Sequence, residues 1–232
     1  MIKHPYLDKL RDNIREKSNS ITGKRINWIN ANPYFYNQLI KTLQYIIRPG
    51  SRVLHVRCSI GYILNRLDAS YGVGVDDSEQ QIAEAKSKYP HLHFYDQNAE
   101  GLQLDEKFDY ILITTPEDIV DFKAVLDSVK KCCTPSTRIV IIYYSILWYP
   151  LVKLAEKLNL RLPQKLHNWI SSGDLNNLLV HSGYESFNHS RWILFPFNIP
   201  IISYLLNRFV ARLPILRHLT FMRATVARPL ME

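Results

Sequence analysis

The 232-residue chain has too few cysteines for a disulfide framework. Of its three, Cys132 and Cys133 are adjacent and Cys58 stands far from both, so buried, reduced thiols in a cytoplasmic setting are expected. No Cys/His spacing has the form of a zinc site. Long apolar runs are also lacking. The longest uncharged stretches, Ile139–Val152 and Trp192–Asn207, fall short of a bilayer span, and Pro196 and Pro200 interrupt the second. A transmembrane helix is therefore not expected. The opening MIKHPYLDKLRDNIREKSNS has no apolar core of the kind a secretory signal carries. Internal repeats, low-complexity segments and recognised nucleic-acid modules are absent as well, so nucleic acid is not an expected partner.

Positive charge is plentiful but confined to the ends. Residues 1–50 hold nine Lys/Arg against three acids and residues 191–232 hold six against one, while the middle has fourteen against seventeen. Basic flanks around a slightly acidic core suit a surface that meets phosphates, anionic lipid or nucleic acid, and equally a solvated face with no specific partner.

Apolar spacing predicts helices over 6–20 and 33–47, the second opened by Asn32-Pro33 and ended by Pro49-Gly50. The pattern then changes to short β-type runs alternating with helices. Strands are expected at Arg52–Val56, Gly72–Val75, His91–Tyr95, Asp109–Thr114 and Arg138–Tyr144, with helices at 62–67, 78–88 and 121–132. DYILIT and RIVIIYY are almost wholly apolar, as strands buried on both faces of a parallel sheet are. The alternation implies an α/β fold: a Rossmann-like, doubly wound, mostly parallel sheet. Beyond it come a helix at 151–158, an amphipathic helix at 174–182 with Asp174 as its cap and Gly183 closing it, and a β-type run at 184–194. A helix near 199–212 and an apolar, basic run follow. Three segments are expected: an N-terminal helical cap (1–48), the Rossmann-like core (49–194) and a basic, aromatic C-terminal extension (195–232).

In doubly wound sheets ligands lie beyond the carboxyl ends of the strands. After the first strand comes His55-Val56-Arg57-Cys58-Ser59-Ile60-Gly61, after the second Asp76 and Asp77, and after the third Asn98 and Ala99. Here VLHVRCSIGYIL, VGVDDSEQQIAEAK and NAEGLQLDEKFDYIL resemble, in register, the successive motifs of the class I S-adenosylmethionine-dependent methyltransferases. LHNWISSGDLNNLLVHSGYE, RWILFPFNIPIISYLLNRF and the closing VARP look like a bacterial subgroup sometimes joined to glycosyltransferases. The resemblance spans roughly residues 45–229. It implies S-adenosylmethionine as cofactor, a methyl transfer to a small-molecule, glycan or lipid-linked acceptor, and a cofactor site made of His55, Arg57, Ser59, Gly61, Asp76, Asp77, Asn98, Ala99 and Thr114.

Each position has a physical rationale. A carboxylate such as Asp76 can accept from both ribose hydroxyls, and an amide oxygen such as that of Asn98 can accept from the adenine amino group. Each also has a local alternative: Asp76 as a cap of the next helix, for which Ser78 is the better candidate, and Asn98 as a turn residue. The departures from the family pattern are concentrated in one loop. His55 replaces an acid, and Arg57 and Ser59 replace two of three glycines, leaving only Gly61. Glycine serves there because backbone and ligand approach closely. Three placements of Arg57 are open: pointing outward beside a weakened site, filling the site and pairing with Asp76, or converting it to an anion site. The second gives the rival function, a catalytically silent binding or scaffold protein of the same fold.

Candidate acceptor-side residues are Thr114, Thr115, Glu117, Tyr143, Tyr144 and Trp148, with His167 and Asp174 at the rim. No catalytic residue is singled out, because aligning an acceptor needs no dedicated base. The aromatic tail, with Trp192, Phe195, Phe197, Tyr204 and Phe209 among Arg191, Arg208 and Arg212, suits either a peripheral membrane contact or a lid packed on the core. The oligomeric state stays open.

Overall fold

The computed structural model describes residues 5–158, 169–193, 195, 199, 201, 205–207, 209, 213 and 216–230. Three helices lead: α1 (Pro5–Ser20), α2 (Thr22–Ala31) and α3 (Pro33–Ile46). The core follows as β1 (Arg52–Val56), β2 (Tyr71–Asp76), α4 (Glu79–Lys88), β3 (His93–Asp96), β4 (Tyr110–Thr114), α5 (Phe122–Val129) and β5 (Arg138–Tyr144). Then come α6 (Tyr149–Lys157), α7 (Ser172–His181), β6 (Tyr184–Trp192) and β7 (Met222–Pro229).

The seven strands form one sheet in the order β3-β2-β1-β4-β5-β7-β6. Strands β1 to β5 run parallel, and β7 runs antiparallel to both β5 and β6. Strand order reverses between β1 and β4, so a crevice opens beyond the carboxyl ends of those strands. The central strands are shielded on both faces. Leu54, Val56, Ile111, Ile113, Ile139 and Ile141 point into one apolar cluster, while Val53, Leu112, Val140 and Ile142 point into the other. This two-sided burial explains why β4 and β5 read as unbroken apolar runs.

Several expectations are corrected in detail. The stretch 62–67 is not a helix but a turn with a short 3-10 segment at Leu64–Arg66. α5 stops at Val129 and continues as a 3-10 turn to Cys132. The cap of α7 is Ser171, whose hydroxyl accepts from Asp174 N; Asp174 sits in the first turn and accepts from that hydroxyl in return. Gly183, at φ +76°, ends α7 as expected. The helix expected near 199–212 falls largely outside the described residues.

Two elements had no counterpart in the sequence reading. α2 starts at Thr22 after Ile21, which provides no side-chain cap, and Gly23 lies in its first turn. β7 alternates poorly, because it is wedged between β5 and β6 with Ala224, Val226 and Ala227 buried. All three cysteines are free and buried, as the spacing suggested.

Candidate functional site

The site is built on the turn after β1. Arg57 has φ 59°, Ser59 φ 53° and Gly61 φ 74°, so the backbone holds three left-handed residues in five positions. This is the conformation glycine adopts freely and other residues adopt at a cost of about 1–2 kcal/mol each. Gly61 has a second constraint, since a Cβ there would fall 2.6 Å from the Phe94 ring. The loop thus keeps a glycine-loop shape while carrying two non-glycine residues. Thr115, at the end of β4, is also left-handed at φ 54°, a genuine outlier for a β-branched residue. Strain gathered at strand ends marks a place where the surroundings dictate backbone shape.

Asp76, at the end of β2, organises the loop. Its Oδ2 accepts from Ser59 N at 2.9 Å and its Oδ1 from Ser78 N at 3.1 Å. Ser78, not Asp76, caps α4 through its hydroxyl. The Arg57 guanidinium lies buried over the same strand end, hydrogen-bonded to Asp77 Oδ1 and 3.8 Å from Asp76 Oδ1. Of the three placements open to Arg57, the outward one is not the one found: the side chain is buried and pairs with the strand-end carboxylates. Burial opposes its charge, yet Asp76, Asp77 and Asp118 together raise its affinity for the proton. Burial and the neighbouring Asp76 push the Asp77 carboxyl upward, against the pull of Arg57.

His55 is fully buried at the end of β1. Its Nε2 is 3.0 Å from Thr114 Oγ1, and that hydroxyl reaches Arg57 O at 3.4 Å. With the Thr114 hydroxyl donating to the carbonyl, His55 Nε2–H donates to Thr114 and Nδ1 is left a bare acceptor, an assignment made from the network. Nδ1 has no partner. Desolvation lowers the His55 pKa from 6.5 to about 4, partly offset by Asp76, so the ring is neutral at pH 7.

Asn98 and Ala99 follow β3. Asn98 Oδ1 accepts from Glu100 N at 2.9 Å, which is the turn role. Over this corner lies α1, the first helix of the expected N-terminal cap, whose contact here no motif predicts. Arg11 donates twice to Glu100 Oε2, at 2.8 and 2.6 Å, and Glu100 Oε1 accepts from Asp121 N at 3.0 Å. Further along α1, Ser18 O accepts from Gln81 Nε2 at 2.8 Å, and Asn19 Oδ1 accepts from Ser78 Oγ at 2.6 Å. The hollow left between Arg11, Ile14, Arg57, Asp77, Asn98 and Ala99 is about 10 Å³. That is room for about one water.

On the other side of Arg57 the crevice widens into a cavity of about 570 Å³. Its walls are mainly rings and branched chains: Trp28, Phe35 and Tyr36 from α2 and α3, with Tyr144, Trp148 and Phe221 opposite. His55, Arg57, Ser59, Asp76, Thr114 and Thr115 form its polar floor. Tyr144 stacks on Phe221 with centroids 4.7 Å apart, and Trp148 Nε1 donates to Leu219 O at 2.7 Å. Of the acceptor-side candidates, Thr114, Thr115, Tyr143, Tyr144 and Trp148 line this cavity. Glu117 instead accepts from Tyr144 N at 3.0 Å, and Asp174 stays with its helix cap. His167, Phe197, Tyr204, Arg208 and Arg212 lie outside the described residues.

A family model described as a methyltransferase domain matches residues 47–185, more than half of the chain. The chain belongs to the methyltransferase domain family. Solved structures agree on the fold. An S-adenosylmethionine-dependent methyltransferase of Thermotoga maritima, titled a possible histamine N-methyltransferase, matches with TM-score 0.72 at 15% identity, over 94% of this chain and 100% of that one. The magnesium protoporphyrin IX methyltransferase of Synechocystis, with bound S-adenosylhomocysteine, matches with TM-score 0.63 at 15% identity, over 95% and 99%. A TehB-like methyltransferase of Corynebacterium glutamicum matches with TM-score 0.60 at 16% identity, over 91% and 97%. No curated protein matches in sequence.

As a member of that family the chain is a methyltransferase-type transferase, and several of its neighbours in fold are titled S-adenosylmethionine-dependent. The strand ends bear on the fit of S-adenosylmethionine, the cofactor that those neighbours' titles name. The frame suits it: a left-handed loop after β1, a carboxylate ending β2, a polar turn after β3. The filling suits it less well on the Asp77 side, where Arg57 is hydrogen-bonded to Asp77, lies 3.8 Å from Asp76, and only about 10 Å³ is left between Arg57, Asn98 and α1.

Proposed function

We propose that this chain is a methyltransferase with a latched cofactor seat, and that its acceptor is an apolar small molecule held in the 570 Å³ cavity. The observation carrying this reading is that latch and cavity share one loop. Arg57, Ser59 and Asp76 close the nucleoside side and at the same time floor the cavity. Release of Arg57 therefore joins the two spaces. A cavity walled by aromatic and branched side chains suits rings or an alkyl body far better than a glycan, whose many hydroxyls need many partners.

Further features support the wider setting. Exposed Leu147, Leu151, Leu154 and Leu158 lie on and beside α6, and with the exposed Ile199, Ile201, Leu205 and Phe209 they favour a peripheral membrane contact that would deliver an apolar acceptor. No helix among the described residues is long and apolar enough to cross a membrane. The free, buried thiols favour a reducing, cytoplasmic setting. We keep the three-segment organisation, with 1–48 as cap, 49–194 as core and 195–232 as an extension that returns β7 to the core's sheet.

A second reading is favoured by the double closure by Arg57 and α1: a catalytically silent ligand-binding protein of this fold. Calorimetric titration with S-adenosylhomocysteine separates the two. The latched enzyme binds weakly as wild type and roughly 100-fold more tightly as Arg57→Gly, the scale expected when about 3 kcal/mol of buried ion pair no longer has to be broken. Absence of binding by both proteins supports the silent reading. Equal, tight binding by both removes the latch.

A further inference from the structure

The cavity is bordered by one cation, Arg25, that has no side-chain partner among the described residues. Four charged side chains line it: Arg25, Arg57, Asp76 and Asp118. Arg57 is held by Asp77 and Asp76, and it lies in the field of Asp118. Arg25, on α2, makes no side-chain hydrogen bond or ion pair with any described residue, and its Nε is shut off from solvent without a partner. A half-buried guanidinium with no described ion-pair partner and an unpaired, buried Nε is a costly arrangement for stability alone. It is well suited to an anion, because its planar fork matches a carboxylate or phosphate.

The surroundings define the rest of the ligand. Trp28 lies on the same helix as Arg25, and Phe35 and Tyr36 follow on α3, so the cation stands at the edge of an aromatic wall. Beside the β1 loop, His55 Nδ1 and Ser59 Oγ are buried without described hydrogen-bond partners. The cavity therefore has a cationic point, a long apolar middle and a small polar floor beside the loop.

We propose that the cavity binds an amphiphilic anion, an apolar ring- or chain-bearing body with one carboxylate or phosphate, and that Arg25 holds its head group. This rests on the proposed role of the cavity as the acceptor site and adds the acceptor's charge and orientation. The head sits at Arg25, and the apolar body runs along the aromatic wall toward His55. No transfer step is needed to establish it.

The test uses two fluorescent probes that share their rings and differ in charge, anilinonaphthalene sulfonate and neutral N-phenylnaphthylamine. They are titrated into the whole chain as wild type, Arg25→Gln and Arg25→Lys. The side chain of Arg25 makes no described hydrogen bond or ion pair, so both variants should fold like the wild type. In wild type the anion should bind about tenfold or more tightly than the neutral probe, as a charge-assisted contact implies. Arg25→Gln should erase that ratio without changing the neutral probe, and Arg25→Lys should restore part of it. Dodecanoate or dodecyl phosphate should displace the anionic probe, and whichever competes better identifies the head group.

A ratio near one in wild type, a ratio unchanged by Arg25→Gln, or displacement by neither amphiphile overturns the proposal. So does a loss confined to S-adenosylhomocysteine binding in Arg25→Gln, which would give Arg25 to the cofactor. Failure of the neutral probe to bind at all would overturn the apolar cavity itself. Binding of the neutral probe without preference for the anion overturns only the role of Arg25.

Discussion

Lowering the pH from 7.5 to 5 should destabilise this protein through His55 in particular. The imidazole is fully buried, and desolvation lowers its pKa from 6.5 to about 4 despite the nearby Asp76. The unfolded chain therefore takes up a proton near pH 6.5 that the folded chain refuses until about pH 4. Stability from this group is complete above pH 6.5 and declines as pH falls through that window. At 1.36 kcal/mol per pH unit, the decline reaches about 2 kcal/mol at pH 5 and about 3 kcal/mol below pH 4. Other groups titrate as well, so the decisive comparison is with His55→Gln, whose amide can still donate to Thr114 without ionising. Urea unfolding at both pH values should show the wild type losing about 2 kcal/mol more than the variant. Parallel losses in the two proteins would show that the ring is not held neutral, and the reading of the β1 end would be wrong.

Two other substitutions probe the same corner. Gly61→Ala combines φ +74° with a Cβ 2.6 Å from the Phe94 ring, so it should cost about 2–4 kcal/mol in thermal or chemical unfolding. A loss under about 1 kcal/mol would mean that the loop relaxes and is less dictated than the strain implies. Arg11→Met removes both bonds to Glu100 Oε2 that fasten α1 beside the Asn98–Ala99 turn. Amide hydrogen exchange of α1 should accelerate about tenfold or more while β1 and β4 stay protected, and an unchanged α1 would show that other contacts hold the cap.

The sequence revealed this architecture unevenly, for identifiable physical reasons. β5 matches its expected bounds, Arg138–Tyr144, because a strand covered on both faces must be apolar throughout. β7 escaped because Arg223 and Arg228 interrupt its apolar pattern, and its place is set by pairing with β5 and β6. α2 escaped because it has no side-chain cap, and with it went Arg25 and Trp28, which only the folded chain brings to the cavity.

Within the site, Arg57, Ser59 and Gly61 were conspicuous against the glycine-loop pattern, and Asp76 was readable as the end of a strand. The partner of Arg57 was anticipated as Asp76, whereas the hydrogen bond goes to Asp77 and Asp76 is the more distant ion-pair partner. Asp76 instead spends its oxygens on the amides of Ser59 and Ser78. The closure by α1 had no local signal, since Arg11 and Glu100 are separated by 89 positions. Contacts of that range are written in the packing of the helices rather than in any motif.

The latch is the centre of this account, and a crystal structure of the ligand-free chain tests it most directly. The account predicts density for the Arg57 guanidinium between Asp77 and Asp76, with Ser59 N on Asp76 and α1 fastened over Asn98 and Ala99. An Arg57 side chain turned out to solvent, with the space between Gly61 and Asp76 open, would contradict it.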